Sequence, residues 1–487
     1  MASSDGGKEV KTAFVTREGK YKLLPLSEYS KPTRNQINPP QYSPVRLSFI
    51  ETNVDKSSEL IFAFNSGREL FVYPYRGVRK AADLSKPIDK RSYQGTMPTS
   101  HDFNKGLASA DSLPLLIGFS GGQIQLIDPL RKEVFNCKLF NKERQVDKSR
   151  VTCVRWLPGV QNQFVVSHSS GQLYVYNTDL QTTCTQPPHY QSFKHTDSVS
   201  VFTCKTKSTR NPLYRWVVGA GAITHLSFSP DGEHLAITSA DGYLRIVHWL
   251  RQELTTSFRS YFGAFLHCAW SPDGYYVAAG GEDDLVTVFS MQQRRIVCRG
   301  RGHKSWINCV AFDSSLCKPL EYRLASVGDD TQLCLWDINE DVLRQPPPAS
   351  RPTSLPTPNS GVQSTVSLAP PSSAKTSKSP LTNKFVNLTL GGDKKDEKKE
   401  HKRNISFTSK SGSTNHVKPL DDKVLGTPVC PRLEEVPLLE PLICKKISNE
   451  RLTSVHFLEE CFVTACYEGN CYTWSRPTSP SSVKDVT

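Results

Sequence analysis

The sequence has no run of about 20 apolar residues that would span a bilayer, and its start, MASSDGGKEVKTAF, lacks the apolar stretch of a secretory signal peptide. It also contains no GxGxxG, no GxxxxGKS/T and no HExxH. These spacings are typical of dinucleotide, phosphate and zinc-protease sites. The absences predict a cytoplasmic and nuclear protein that is not an enzyme, with no catalytic residues, no cofactor and no membrane contact.

The 14 cysteines never occur as CxxC pairs, so the spacing indicates neither a zinc site nor a disulfide framework. The densest group is Cys461, Cys466 and Cys471, on and beside one predicted strand hairpin. Thiols in such positions act as small apolar side chains. We therefore expect reduced thiols and no bound metal.

Basic residues are in excess, and the formal net charge of +13 suggests a nucleic-acid partner at first sight. However, residues 341–426 contribute +7, residues 76–91 contribute +4 and residues 1–43 contribute +3. The rest of the chain is therefore close to neutral. A nucleic-acid partner is not favoured, because the basic excess is confined to these three stretches.

Two stretches of the sequence superimpose on each other, Ile223–Val247 and Phe265–Phe289. Each begins with alternating apolar and polar residues that end at Phe228 or Trp270, continues with Ser-Pro-Asp-Gly, and then has two further β-rich segments. The alternation predicts short strands, and the Pro and Gly favour a tight turn between them. A repeated unit of this kind predicts an all-β fold built from stacked copies.

Five further stretches follow the same template, which makes seven units: Val45–Tyr75, Ser100–Asp128, Val151–Asn177, Ile307–Asp337 and Arg451–Trp474. In the sixth unit, Gly302-His303 and Trp336-Asp337 resemble the GH…WD frame of WD-repeat β-propellers. The resemblance implies a seven-bladed β-propeller of four-stranded sheets, in which the last blade must join the first.

The same resemblance implies a structural role for four side chains of the sixth unit. His303, Ser326, Asp330 and Trp336 match the positions that form a buried hydrogen-bond chain in WD repeats. We therefore interpret this His/Asp/Ser set as structural and not as catalytic.

The chain is predicted to have five parts. These are an N-terminal arm at 1–43, blades one to six at 44–337, a disordered insert rich in Ser, Pro and Lys at 338–424, a packed extended segment with blade seven at 425–476, and a disordered tail at 477–487. The insert contains too few apolar residues to offset its ordering entropy. Within the arm, Thr12–Leu24 is a candidate outer strand of blade seven.

Several stretches that a generic WD repeat does not require point to a narrower family. Leu425–Ile447, Gly77–Arg91, Lys207–Leu213 and GHKSW at 302–306 resemble the WD repeat-containing protein 20 family, and part of the pattern is shared with the related dystrophia-myotonica WD-repeat protein. The resemblance implies a non-catalytic scaffold and allosteric activator of a ubiquitin-specific cysteine protease of the twelve/forty-six type. It also implies a second WD-repeat activator in the same complex.

Aromatic residues in the loops that enter the innermost strands are the candidates for a partner contact, because binding hot spots favour large aromatic side chains. Tyr261 and Phe262 precede blade five, and Trp306 precedes blade six. Glu282 and Asp283 lie on the same side of blade five and are predicted to add polar contacts. For Tyr261 and the two acidic residues, a purely structural role is the stronger alternative.

A second hypothesis is a propeller that recognises a substrate or a phosphopeptide in another ubiquitin-linked or signalling complex. Such readers present Arg and Lys at the central rim to capture acidic motifs. The loops that enter the first strands here offer Lys304 and few other cations, so this hypothesis is less favoured.

Overall fold

The computed structural model describes residues 9–30, 43–54, 57–131, 137–183, 186–195, 199–204, 210–344 and 423–477. One compact unit comprises Met1–Pro348 and Val417–Thr487, and the second, Ala349–His416, lies wholly outside the described residues. Most of the predicted insert and tail also lies outside them. In the described part of the chain, no helix is both long and apolar enough to cross a membrane.

The described ranges contain 32 strands in seven sheets, which are the blades of a propeller. The strands of the N-terminal segment and of blades one and two are β1 (Ala13–Thr16), β2 (Gly19–Leu23), β3 (Leu47–Val54), β4 (Ser57–Ser66), β5 (Glu69–Pro74), β6 (Asp89–Ser92), β7 (Pro98–Phe103), β8 (Leu115–Phe119), β9 (Ile124–Ile127) and β10 (Lys138–Phe140). The strands of blades three and four are β11 (Val151–Trp156), β12 (Gln163–His168), β13 (Gln172–Asn177), β14 (Tyr190–His195), β15 (Val199–Cys204), β16 (Tyr214–Val218), β17 (Ile223–Phe228), β18 (His234–Ser239), β19 (Tyr243–His248) and β20 (Glu253–Arg259).

The remaining strands belong to blades five, six and seven. They are β21 (Phe265–Trp270), β22 (Tyr276–Gly281), β23 (Leu285–Ser290), β24 (Arg295–Arg301), β25 (Ile307–Phe312), β26 (Tyr322–Gly328), β27 (Gln332–Ile338), β28 (Leu438–Leu439), β29 (Ile443–Lys446), β30 (Leu452–Phe457), β31 (Cys461–Cys466) and β32 (Cys471–Ser475). One short helix, α1 (Glu340–Arg344), follows blade six, and its buried Leu343 packs on the core between blades five and six.

The blades form a closed ring. The first strands of all seven sheets, β3, β7, β11, β17, β21, β25 and β30, line one central cavity. Clusters of buried apolar side chains fill the seams between successive blades, and one of them joins blade seven to blade one through Phe62, Tyr73 and Val463. Because one sheet cannot bury both of its faces alone, each blade depends on its two neighbours. The predicted seven-bladed WD-repeat propeller is confirmed.

The N-terminal segment forms the outer edge of blade seven. Its sheet has the order β1-β2-β32-β31-β30, and Leu23 of β2 pairs with Trp474 of β32. Alternation along β1 turns Phe14 into the core and leaves Val15 65% exposed. The first and last parts of the chain therefore build one blade together, which closes the ring.

Besides blade seven, three blades take strands from outside the simple repeat. The outer strand of blade six is β29, paired with β27, so the predicted boundary at residue 337 omits the last strand of that blade. Strand β28 adds to β24 of blade five in a parallel arrangement. Blade three has six strands because β16 pairs with β13 and continues into β15 and β14. In each case the added strand pairs with an outer edge that would otherwise expose its backbone.

Candidate partner-binding surface

Two exposed aromatic side chains lie in equivalent loops of neighbouring blades. Phe262 lies between β20 and β21 and is 56% exposed, and Trp306 lies between β24 and β25 and is 48% exposed. Both loops connect the outer strand of one blade to the first strand of the next. They therefore open on the same face of the ring, and the structure places the two predicted anchor residues on that face.

Two carboxylates accept hydrogen bonds from the backbone of the loop that carries Phe262. Glu282 accepts a hydrogen bond from the backbone N–H of Ala264 at 2.9 Å, and Asp283 accepts one from the backbone N–H of Tyr261 at 3.0 Å. Burial raises the pKa of Asp283 to about 6. Both carboxylates face the loop backbone, so in the free protein Glu282 and Asp283 hold the loop.

Tyr261 is less exposed than its neighbour Phe262. Its ring is half-buried, and the guanidinium of Arg299 lies 5.3 Å from the ring centre, within the range of a cation–π contact. Arg299 is itself buried and donates a hydrogen bond to the carbonyl of Pro431 at 2.7 Å. Tyr261 thus helps to attach its loop to the segment that follows the insert.

That segment supports the loop directly, which the sequence did not indicate. The backbone N–H of Arg259 donates to the carbonyl of Val429 at 2.9 Å, and the thiol of Cys430 lies 3.5 Å from the carbonyl of Ser260. Farther along, Arg299 donates its backbone N–H to the carbonyl of Pro437 at 2.9 Å. The extended stretch after the insert therefore packs beside the loop that presents Phe262.

The loop that carries Trp306 is held by a buried hydrogen-bond chain. The Nδ1 of His303 lies 2.9 Å from a carboxylate oxygen of Asp330, and its Nε2 lies 2.7 Å from the hydroxyl of Ser326. The indole N–H of Trp336 donates to the same hydroxyl at 2.8 Å. The backbone N–H of Lys304 also donates to Asp330 at 2.9 Å. These contacts fix the loop from His303 onward, so Trp306 projects from a rigid base.

Reactive constellations elsewhere have structural explanations. Gly118–Gly122 has the GxSxG spacing of a hydrolase elbow, but it lies in a turn between two strands, whereas an elbow requires a strand-to-helix turn. The hydroxyl of Ser120 there accepts a hydrogen bond from the backbone N–H of Met97 at 3.0 Å. Cys461, Cys466 and Cys471 are buried on β31 and β32, and burial raises the pKa of each thiol.

The basic stretch at 76–91 is largely neutralised by its surroundings. Arg79 pairs with Glu460 at 3.2 Å, and Lys90 pairs with Glu69 at 3.2 Å. Arg76 lies 3.7 Å from Glu59, and Arg91 lies 2.7 Å from Asp89. Paired cations offer less attraction to a phosphate backbone than free ones, so this surface does not favour a nucleic-acid partner.

Comparisons with known proteins agree with the fold and narrow the family. The WD domain, G-beta repeat family matches residues 211–248, 252–290 and 295–337. WD repeat-containing protein 20 of Mus musculus is 46% identical, with 98% of this chain and 99% of that protein covered. The WD repeat-containing protein 20 homolog of Caenorhabditis elegans is 33% identical, with 96% and 83% covered.

A solved structure supports the architecture alone. A chain in the crystal structure of the Mitotic Checkpoint Complex superimposes with a TM-score of 0.51 at 10% identity, with 98% of this chain and 96% of that chain covered. At that identity only the fold is shared. Together with the propeller and the extended similarity to the two relatives, the conclusion is that this chain belongs to the WD repeat-containing protein 20 family, a group of WD-repeat scaffolds.

Proposed function

We propose that the protein is a non-catalytic scaffold that binds and allosterically activates a ubiquitin-specific cysteine protease of the twelve/forty-six type, together with a second WD-repeat activator. The observation that carries the proposal is the pair of exposed aromatic residues, Phe262 and Trp306, on rigid loops of adjacent blades. Large apolar side chains held in one position lose little conformational entropy on binding, which favours them as anchors.

Activation without a catalytic residue requires a difference in affinity. If the propeller binds the active conformer of the protease more tightly than the inactive one, it raises the active fraction by no more than that difference. A coupling free energy of about 1–3 kcal/mol corresponds to roughly 5–150-fold. The catalytic chemistry then belongs entirely to the protease, and the propeller contributes surface.

Truncating either anchor tests the surface directly. We expect Phe262→Ala or Trp306→Ala to weaken the complex with the protease by about tenfold or more, because hot-spot aromatics contribute about 2 kcal/mol or more. The measurements are the Kd by biolayer interferometry and the rate at which the protease hydrolyses ubiquitin-AMC, at saturating and at limiting concentrations of this protein. Melting temperatures should stay within a degree or so of the parent protein, since both side chains are exposed.

Tyr275→Ala is the matched control for these variants. Tyr275 is 60% exposed and belongs to blade five, but it lies in the turn between β21 and β22 at the opposite end of the sheet. It should bind and activate like the parent protein. Normal affinity and normal activation by both Phe262→Ala and Trp306→Ala would show that these two side chains do not form the partner-binding surface.

The shape of the loop can be tested separately from its aromatic side chain. Gly263 has φ +62°, and a Cβ atom there would lie 2.6 Å from a carboxylate oxygen of Glu282. We expect Gly263→Ala to displace the Phe262 loop and to weaken protease binding by about tenfold, equivalent to about 1.4 kcal/mol. Affinity and melting temperature are measured on the same preparation.

Gly159→Ala is the control for the backbone strain alone. Gly159 has φ +72°, but a Cβ atom there meets nothing within 4 Å. Both variants carry the cost of a left-handed non-glycine residue, about 1–2 kcal/mol, and only Gly263→Ala should lose affinity. Equal affinities would mean that the position of this loop does not matter for binding.

A further inference from the structure

The centre of the ring contains a cavity of about 230 Å³ that the proposed partner surface does not use. Its walls are the first strands of all seven blades, so the closure of the ring determines its size. One water molecule occupies about 30 Å³ in the liquid. The space therefore accommodates a small polyatomic ion together with several waters.

The lining of this cavity is polar and basic. Two arginines, Arg46 of blade one and Arg155 of blade three, line it together with His101, His225, His267 and His456. None of the described lining residues is acidic. Asp102, next to His101 in sequence, accepts a hydrogen bond from the backbone N–H of Trp156 at 2.9 Å and is not part of the lining.

The guanidinium of Arg155 is held by two hydrogen bonds that do not use all of its N–H donors. One terminal nitrogen donates to the carbonyl of Val154 at 2.9 Å, and the other lies 3.0 Å from the Nε2 of His225. A guanidinium carries five N–H groups, so these two bonds leave further donors on a residue that borders the cavity. Burial lowers the pKa of His225 well below its usual range, so the imidazole beside Arg155 is neutral and can accept this bond.

Arg46 approaches the same space from another blade. Its backbone N–H donates to the side chain of Asn65. Among the described residues, no carboxylate forms a close ion pair with either arginine, although the charge of Asp102 opposes the effect of burial and helps to raise the pKa of Arg155. Burial is the main cause of the lowered pKa of His267, and the charges of both guanidiniums lower it further. Two like charges therefore act on one poorly solvated region, and their repulsion is stronger there than in water.

His101 adds an unmatched polar atom. The residue is 2% exposed and its Nδ1 lies 2.7 Å from the hydroxyl of Ser48, whereas its Nε2 is buried and has no hydrogen-bond partner among the described residues. The hydroxyl of Ser48 donates its one proton to the backbone carbonyl of His101 at 2.8 Å, so Ser48 accepts from the Nδ1–H and the buried Nε2 is an acceptor. Buried polar groups in folded proteins are nearly always paired, with protein, water or an ion.

We propose that this central cavity binds a small oxyanion of the phosphate class between Arg46 and Arg155. An oxyanion relieves the repulsion between the two guanidiniums and accepts their free N–H groups, since arginine pairs with planar or tetrahedral oxyanions through several donors at once. The site is distinct from the aromatic rim and does not depend on the proposed partner.

The test uses inorganic phosphate with the full chain. Isothermal titration at constant ionic strength should give saturable binding near one phosphate per chain, and phosphate should raise the melting temperature above that in chloride. Arg46→Met and Arg155→Met should each raise the Kd for phosphate at least tenfold. Arg301→Met, which removes an exposed cation outside the cavity, should leave the Kd unchanged.

Arg46→Met also has an effect that a purely structural arginine would not show. Without phosphate, the variant should melt at the same or a higher temperature than the parent, because one of two repelling charges is gone. In phosphate, the order should reverse. This variant keeps the test decisive if Arg155→Met does not fold.

Three results would overturn the proposal. One is the absence of saturable phosphate binding at millimolar concentrations, and another is binding that all three variants retain equally. The third is binding of a phosphoserine peptide without binding of free phosphate, which would assign the site to a peptide and not to a small anion.

Discussion

Phe14→Ala is expected to lower the free energy of unfolding by about 3–5 kcal/mol, the usual cost of truncating a buried phenylalanine. Phe14 lies on β1, far in sequence from the strands on which it packs, and it is 5% exposed. Native domains have only about 5–15 kcal/mol of net stability. One side chain of the N-terminal segment is thus expected to account for a large share of the total.

The size of the effect follows from where the aromatic rings meet. The ring of Phe14 stacks on Tyr21 with centres 5.0 Å apart and lies 5.8 Å from Trp474 of β32. The same cluster includes Leu333 and Leu335 of blade six. Phe14 therefore joins the first strand, the last strand and the neighbouring blade. Its removal leaves a cavity at the seam that closes the ring.

Val15→Ala provides the control on the same strand. Val15 is 65% exposed, so its truncation should change stability by less than about 0.5 kcal/mol. Thermal melts and urea titrations measure both variants, and hydrogen exchange should show lost protection in β30, β31 and β32 for Phe14→Ala alone. Equal stabilities of the two variants would mean that β1 does not help to close the propeller.

Sequence patterns predicted the features of the fold that are local to one blade. The Ser-Pro-Asp-Gly turns and alternating strands identify units around residues 223–247 and 265–289, because strand pairing there depends on neighbours fewer than about 20 residues away. The contacts of His303, Ser326, Asp330 and Trp336 likewise lie within one repeat. Local pairing of this kind carries a low cost of loop closure, so it leaves a clear trace in sequence.

Several features that the sequence could not predict depend on pairing between segments far apart in the chain. Strand β29 (Ile443–Lys446) completes blade six from beyond the insert, and it lies outside every copy of the repeat. The hydrogen bond of Arg299 to Pro431 is of the same kind. The loop position of Phe262 and Trp306 followed from the repeat. Part of the support of the Phe262 loop comes from Glu282 and Asp283 in the same blade, and part comes from Val429 and Cys430, about 170 residues later.

Arg323→Met is the second substitution with a large expected effect. Arg323 lies on β26 of blade six, is 2% exposed, and hydrogen-bonds both Asp337 of β27 and Glu18 in the β1–β2 turn, the latter at 2.7 Å. Without the guanidinium, the carboxylates of Asp337 and Glu18 lie close together and lose the positive charge that they share. We expect a loss of about 2–3 kcal/mol, below the 3–5 kcal/mol of a fully buried pair because both carboxylates are partly exposed.

Arg17→Gln is the control for removing a positive charge beside Glu18 without removing a buried side chain. Arg17 also pairs with Glu18, at 2.9 Å, but its side chain is 65% exposed. Exposed pairs contribute about 0–1 kcal/mol, so Arg17→Gln should cost much less than Arg323→Met. A cost equal to that of Arg323→Met would mean that general charge balance, and not the buried arginine, stabilises the turn.

The pH dependence identifies the contact between Arg323 and Glu18 specifically. Burial alone would raise the pKa of Glu18, but hydrogen bonds from Arg323, Thr16 and Arg17 lower it from 4.5 to about 2. A carboxyl group with a lowered folded-state pKa stabilises the protein above its unfolded pKa, and this contribution is lost as the pH falls from about 4.5 towards 2. In Arg323→Met the pKa of Glu18 moves back up, so Glu18 contributes less stability at neutral pH and less stability is lost when the pH falls. The stability difference between parent and variant, measured by urea titration, should therefore narrow between pH 5.5 and pH 3. A difference that stays constant over this range would assign the loss to packing of the arginine stem and not to its charge.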